Sequence, residues 1–321
     1  MVCLLLLGTE QGLGIFQPSE MAKLFLILIG ATTGMHINEL RNYDSKYLTL
    51  NPFQLVWPFI SAIVLFSSIA LFVFLSVKDI SPIVISSVFF VCSFWKNAPH
   101  PQAGRFTISE SIIKRIIYVF VMLLAVVIVL IYNYPDYISD FMHQKYRILV
   151  WANPGLYPHS GEQVIRSMTI CSIAGCFGAA DSWFGFNNIA MDVPMIQNDF
   201  IGAFIIYKFG IIFTLLIILI QSAYVSALLL SSKAIESIGS ANFEKRRIEK
   251  IFSLIIFGFV CMLIIQLLIS WSNVFGLFPV MGQPMTWFSQ ANSHLLFFAL
   301  PSAAFTLIVN SITEKNYWRY L

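Results

Sequence analysis

The sequence predicts an all-α polytopic membrane protein, and three observations carry that expectation. Hydrophobic residues make up 58% of the 321 positions and charged residues only 11%, against about 25% charged in a soluble domain. Apolar runs long enough to cross a bilayer, which takes about 20 residues, recur along the whole chain. The basic residues collect in alternate connections between those runs. The net charge of +3 is small, and no Lys/Arg-rich tract is interleaved with aromatics in a polar region. Nucleic acid is therefore not an expected partner.

The opening "MVCLLLLG", residues 1–8, is too short to span. It lacks the basic flank and cleavage site of a signal peptide, and it reads as the end of a helix whose beginning is absent. Runs of spanning length follow at 19–37, 55–77, 80–96, 116–133, 200–231, 251–273 and 292–312. That makes about seven full transmembrane helices after a partial one, within a single membrane domain over 1–321. The stretch 164–178, "VIRSMTICSIAGCFG", is only half apolar and is expected as a re-entrant or interfacial helix.

Orientation follows from Lys and Arg in the short connections. The segments 38–54, 96–115, 232–250 and 313–321 hold 13 of the 19 basic residues. This side is expected in the cytoplasm, with the C-terminus. Segment 134–199 then lies outside. It is far longer than an ordinary connection, and its aromatics and Pro-Gly turn suggest a folded extracytoplasmic loop.

The cysteines point to no disulfide or metal framework. Cys3, Cys92 and Cys261 fall in apolar runs, and Cys171 and Cys176 lack CxxC spacing. The five histidines are scattered, without a ligand pair such as HExxH, so no metal-ligating residues are assigned.

The loop ends in "PMIQNDFIGAF", where Asp199 stands one step before an apolar run. A carboxylate there suits the positive end of the following helix. The alternative is a general base in an outward-facing cavity, within reach of a substrate anchored in the membrane. Lys145, Arg147 and Arg166 lie in the same loop and are either solvated surface charges or cations for a phosphate-bearing lipid. Lys78 and Asp79 interrupt two apolar runs. Lys208 sits nine residues after Asp199 in the same run, where a charge is expected to face the protein interior or pair with an acid.

Several motifs together resemble one family. "GIFQPSEMAKL" (14–24) is similar to the "fQPSElaKL" segment of the FtsW/RodA/SpoVE, or SEDS, proteins, matching at Gln17, Pro18, Ser19, Glu20 and Lys23. "VPMIQNDFIGAFI" (193–205) resembles the family's "LPEAHTDFIFAVI" at Pro194, Asp199, Phe200 and Ile201. "GLFPVMGQP" (276–284) resembles "GLLPVTGIP". "YRILVWANP" (146–154) resembles "RRLLAFLDP" at Arg147 and Pro154, and "EQVIRS" (162–167) stands where "YQIIQS" is expected. Asp79 in "VKDISP" corresponds to the Asp of the family's "QPDLGT". The chain departs from the pattern at Met195, Gln197, Tyr207 and Lys208, in "SQANSH" (289–294) and in "GTEQGL" (8–13).

The resemblance implies the C-terminal part of a ten-helix SEDS fold in a bacterial cytoplasmic membrane. It implies a peptidoglycan glycosyltransferase that polymerises lipid II at the outer face, in cell division or cell-shape maintenance, beside a class B penicillin-binding protein. Asp199 is then the catalytic base. Arg147, Arg166, Gln163, Lys78, Asp79, Glu20, Gln17 and Lys208 are the candidate substrate-binding residues. A divalent cation at the pyrophosphate is the one cofactor to consider. Two other readings stand beside the enzyme: a non-catalytic scaffold for a penicillin-binding protein, and a flippase for a lipid-linked precursor.

Overall fold

The computed structural model describes residues 18–43, 85, 88–89, 91–93, 96, 118–119, 122, 126, 129–130, 132–134, 145–157, 161–179, 193, 196–240 and 242–317. These are helical apart from turns and loops, with no strand among them, so the all-α class holds. The expected spans at 55–77, 80–96 and 116–133 lie wholly or largely outside the described residues. Among the described residues, six continuous helices stand out. They are α1 (Pro18–Tyr43), α2 (Lys145–Ala152), α3 (Glu162–Ile173), α4 (Ile201–Ser237), α5 (Phe243–Val274) and α6. The last opens as Asn292–His294, widens to a π-helical turn over Leu295–Ala299 and continues through Leu300–Tyr317.

Among the described residues, α4, α5 and the Asn292–Glu314 part of α6 are long and apolar enough to cross a membrane. Each runs past its apolar core into polar sequence. The structured helix is therefore longer than the run that hydropathy marks. The π turn of α6 has a local cause in Pro301. Its ring lacks the N–H that would bond the carbonyl four residues back and clashes with that carbonyl.

The chain forms two compact units. The first comprises Met1–Leu124, Ser226–Met262 and Leu296–Leu321. In it α1 buries Ile27, Ala31 and Met35, a one-sided pattern at helical spacing. Gly30 and Gly258 let this face close up. A β-carbon on either would lie 2.8 Å from a neighbour, Phe89 Cζ for Gly30 and Ile27 Cγ2 for Gly258. Small residues permitting close helix approach are the usual packing device where lipid removes the hydrophobic drive between helices. Phe259 meets Phe298 edge-on and Phe305 at a tilt, with ring centroids 5.4 and 5.9 Å apart.

The second unit comprises Ala125–Val225 and Leu263–Leu295. Its core gathers Ile170 and Ala174, Val193 and Ile196, Phe200, Ala203, Ile206 and Tyr207, and Val274. Helix α5 ends here in a Schellman motif. Leu277 N–H bonds Ser272 O at 2.9 Å and Gly276 N–H bonds Asn273 O at 3.3 Å. Gly276 takes the required left-handed φ of 62°. Two carbonyls at this end are capped by side chains from other elements. Ser167 Oγ donates to Val274 O at 3.0 Å and Trp151 Nε1 to Gly276 O at 3.1 Å. Helices α2 and α3 are thus fixed to the end of α5, which gives the predicted extracytoplasmic segment its folded anchor.

Helix α4 is broken at Gly210, where φ is 82° and ψ 179°. The break exposes backbone groups that lipid cannot satisfy. The loop after α3 satisfies them. Ile211 N–H donates to Gly175 O and Ile212 N–H to Cys176 O, both at 3.2 Å, while Ala179 N–H donates to Tyr207 O at 3.0 Å. Thr214 Oγ1 caps Gly210 O at 2.8 Å. The approach is so close that both sides require glycine. A β-carbon on Gly210 would lie 2.3 Å from Cys176 O, and one on Gly178 would lie 2.4 Å from Lys208 O. The half-apolar stretch 164–178 is thus a helix, α3, followed by a clasp that closes on a discontinuous helix.

Candidate functional site

The residues around Asp199 belong to the second unit. The chain enters α4 through a turn at 196–200, with Ile196 N–H on Val193 O at 3.3 Å. Ile196 and Phe200 are buried and pin the turn from beneath. Between them Gln197, Asn198 and Asp199 remain partly or fully exposed. Asp199 stands two residues ahead of α4, close to the positive end of that helix.

A second loop, 275–291, closes over this turn. Ser289 Oγ donates to Asn198 O at 2.6 Å and accepts Met285 N–H at 2.8 Å. Gln290 N–H donates to Gln197 O at 3.0 Å. The carbonyls of both residues before Asp199 are therefore held by one loop. The same loop presents Gly282 to the carboxylate. A β-carbon there would stand 3.5 Å from Asp199 Oδ2 and 3.9 Å from Oδ1. Glycine leaves that side of the carboxylate open.

The loop is in turn fixed by α5. Asn273 clamps Met281 at two points, donating from Nδ2 to Met281 O at 2.7 Å and accepting Met281 N–H at 3.2 Å. Ser270 Oγ donates to Gln283 O at 3.1 Å. Gln266, one turn further along the same stripe, is fully buried with neither amide atom hydrogen-bonded. Deeper in the loop, Thr286 Oγ1 and His294 Nε2 share a buried hydrogen bond of 2.9 Å. Trp287 is held at φ 73°, a costly conformation for a bulky residue, and meets Tyr224 edge-on at 6.1 Å.

Arg147, on α2, is brought to this loop. Its Nη1 donates to Val280 O at 3.4 Å, two residues before Gly282. Arg147 and Asp199 therefore both border the 280–282 segment. Arg166 is more than 40% exposed and pairs with Glu162 one turn earlier on α3 at 2.5 Å. Gln163 is half-buried on the same helix. Lys208 is half-buried just before the Gly210 break, beside the Gly178 clasp. In the first unit Glu20 bonds Lys23 Nζ at 2.6 Å, with both side chains buried. That ion pair lets the start of α1 hold two charges away from water. Gln17, Lys78 and Asp79 lie outside the described residues.

Sequence reasoning left Gly282, Ser289 and the Gln266–Ser270–Asn273 stripe unassigned. The stripe was detectable in principle, as three polar residues at i, i+4 and i+7 within an apolar run. The role of Gly282 had no local signal, because it depends on a contact more than eighty residues away. Among the described residues no three His, Cys, Asp or Glu side chains converge. Burial pushes the Cys171 thiol on α3 up to about 12, which keeps it protonated.

The FtsW/RodA/SpoVE family model, described as cell cycle protein, matches residues 11–317 of the chain. A solved structure, "Structural coordination of polymerization and crosslinking by a peptidoglycan synthase complex", contains a chain of similar fold. Its TM-score is 0.58 at 18% identity, covering 94% of this chain and 71% of that one. No curated protein matches.

Proposed function

The chain belongs to the FtsW/RodA/SpoVE family of membrane proteins, and from that premise we propose that it is a peptidoglycan glycosyltransferase that polymerises lipid II. The observation that carries the reading is the Asp199 carboxylate, fixed at a loop–helix junction with an open side made by Gly282. Glycosyl transfer needs a base there because a sugar hydroxyl is a poor nucleophile. In the reaction the 4-hydroxyl oxygen of one lipid-linked disaccharide bonds C1 of another. The C1–O bond to the lipid pyrophosphate breaks, and the hydroxyl proton passes to Asp199. One carboxylate suffices because the leaving group is already activated, whereas a glycosidase uses two.

The departing pyrophosphate carries negative charge, which a positioned cation stabilises. Arg147 is the first choice, because its bond to Val280 O orders it beside the Gly282 segment. Arg166 is the second, with its charge partly offset by Glu162. Gln163 and Lys208 are assigned to substrate contact on the same unit, and Glu20 to the start of α1. Lipid II is thus the proposed substrate, and a class B penicillin-binding protein the proposed partner that crosslinks the product. The catalytic face lies outside the cytoplasmic membrane, with the C-terminus inside.

The test is polymerisation of purified lipid II by the full chain, alone and with a class B penicillin-binding protein, beside Asp199→Ala. The parent is expected to make glycan strands. The variant is expected to lose about 100-fold or more in rate, the scale of a removed general base, with its thermal midpoint preserved. Strands formed equally by the variant would overturn Asp199 as base. A folded parent that makes no strands under any partner would leave the scaffold reading in its place.

A further inference from the structure

The α4–α5 hairpin in the first unit carries five basic residues, Lys233, Lys245, Arg246, Arg247 and Lys250, against three acids, Glu236, Glu244 and Glu249. The acids do not neutralise the bases evenly. Glu249 is only 3% exposed and accepts from both Oγ and N–H of Ser240. It therefore acts as the cap of the turn that joins the two helices. Glu236 is bonded by Lys250 and faces Lys96 Nζ at 3.6 Å. Lys96 itself is turned inward, donating to Ser232 Oγ at 3.0 Å and Ser253 Oγ at 3.1 Å, with Phe257 4.5 Å beneath it. Two of the three carboxylates are thus engaged by hairpin partners, and Lys233, Arg246 and Arg247 are exposed together with the third, Glu244.

The order of these residues along the hairpin follows from the contacts. Lys250 meets Glu236, and Arg246 Nε donates to Ser240 O at 3.0 Å. Arg246 therefore stands a turn nearer the hairpin tip, and Lys233 a turn nearer the membrane core. The bond to Ser240 O holds the Arg246 guanidinium in place while leaving it exposed with further N–H donors. Planar, pre-ordered guanidinium groups suit two-point binding of phosphate. Lys233, about two turns deeper than Arg246, reaches up toward the same headgroup by snorkelling. Both flanking helices are long and apolar enough to cross a membrane, so the phosphate that meets this hairpin is a bilayer headgroup.

We propose that the outer face of the α4–α5 hairpin, through Lys233, Arg246 and Arg247, binds the phosphate of an anionic phospholipid. The site is separate from Asp199 and does not depend on the polymerase reading. Juxtamembrane basic clusters draw strength from anionic lipid, and that strength falls as salt screens it. Here Ser240 engages Glu249 and Lys250 engages Glu236, so the exposed bases outnumber the one remaining acid, Glu244.

The experiment places the full chain in nanodiscs of phosphatidylcholine, with and without phosphatidylglycerol, and compares it with the Lys233→Gln/Arg246→Gln/Arg247→Gln variant. Thermal midpoints and native mass spectra are recorded. The parent is expected to gain about 3 °C or more with phosphatidylglycerol, and the gain is expected to shrink at high salt. The variant is expected to match the parent in phosphatidylcholine alone, to lose most of the gain, and to retain about tenfold less phosphatidylglycerol. A further arm adds inorganic phosphate to the phosphatidylcholine discs. No gain there supports the lipid as ligand, whereas an equal gain overturns the lipid in favour of a free anion. A gain that survives in the variant overturns the site. If the variant is already destabilised in phosphatidylcholine, Lys233→Gln alone is read by lipid retention, and unchanged retention overturns the site.

Discussion

Gly282 and Asp199 are more than eighty residues apart in sequence, yet a β-carbon on the glycine would stand 3.5 Å from the carboxylate. That distance is ordinary van der Waals contact, so alanine fits without moving the backbone. The methyl group would take the place of water or a substrate hydroxyl at Oδ2. Gly282→Ala is therefore expected to leave thermal stability within about 1 kcal/mol. It is expected to lower lipid II polymerisation about tenfold or more, a small part of the contribution of a general base. Full activity in Gly282→Ala would mean that the reacting hydroxyl approaches from another side.

The clasp on broken α4 sets a contrast among glycines. Gly210→Ala and Gly178→Ala each force a methyl into backbone at 2.3–2.4 Å, and both positions have positive φ. Gly175 also has positive φ, but open space lies where its β-carbon would be. Thermal unfolding is expected to show losses of about 3 kcal/mol or more for the first two and about 1–2 kcal/mol for Gly175→Ala. Equal effects at all three would show that the clash has been relieved by a shift of the clasp.

Asn273 supplies both halves of the clamp on Met281. Asn273→Leu leaves two part-buried backbone groups without this partner, at a cost of up to about 1–3 kcal/mol for each. Asn273→Asp keeps an acceptor for Met281 N–H but loses the donor. The expected order of thermal midpoint is parent, then Asp, then Leu. Because the clamp holds the Gly282 loop, polymerisation is expected to fall in the same order.

How much of this could be read in the sequence depends on the range of the physics involved. The helices at 19–37, 200–231, 251–273 and 292–312 were legible because lipid solvation demands long apolar runs, a local property. Their ends were not, since α4 and α5 extend into polar sequence through caps such as Glu249 on Ser240. The polar element at 164–178 was legible as half-apolar, but its purpose was not. Satisfying the N–H groups of Ile211 and Ile212 is a matter of tertiary contact. Asp199 and Arg147 were picked out by chemistry and by motif. That a single loop at 280–290 joins them required the fold.

Gln266 is fully buried and has neither amide atom hydrogen-bonded. A buried amide without partners costs about 1–3 kcal/mol by mutational measures. Gln266→Met, of similar shape, is expected to raise stability by about that amount in thermal unfolding, with polymerisation unchanged. A loss of activity together with the gain in stability would mark Gln266 as a group that meets substrate.

Two cysteines near the clasp are expected to differ in reactivity. Cys171 is half-buried, and desolvation lifts its thiol to about 12, far from the thiolate form that alkylates. Cys176 is exposed at the clasp. Iodoacetamide at pH 8, followed by peptide mapping, is expected to modify Cys176 well before Cys171. The order should persist in the folded protein and vanish on denaturation.

The Gly210 break changes what the apolar run after Asp199 encodes. An unbroken helix of 37 residues would be about 55 Å long at 1.5 Å per residue, well beyond the roughly 30 Å of bilayer hydrocarbon. The part after Gly210 is already long enough to cross. The first nine residues, 201–209, are therefore not needed for that crossing and form a short arm, with Asp199 two residues ahead of it and Lys208 near its end. One hydrophobic segment in the sequence thus supplies both a helix of membrane-crossing length and a separate arm that carries the proposed base.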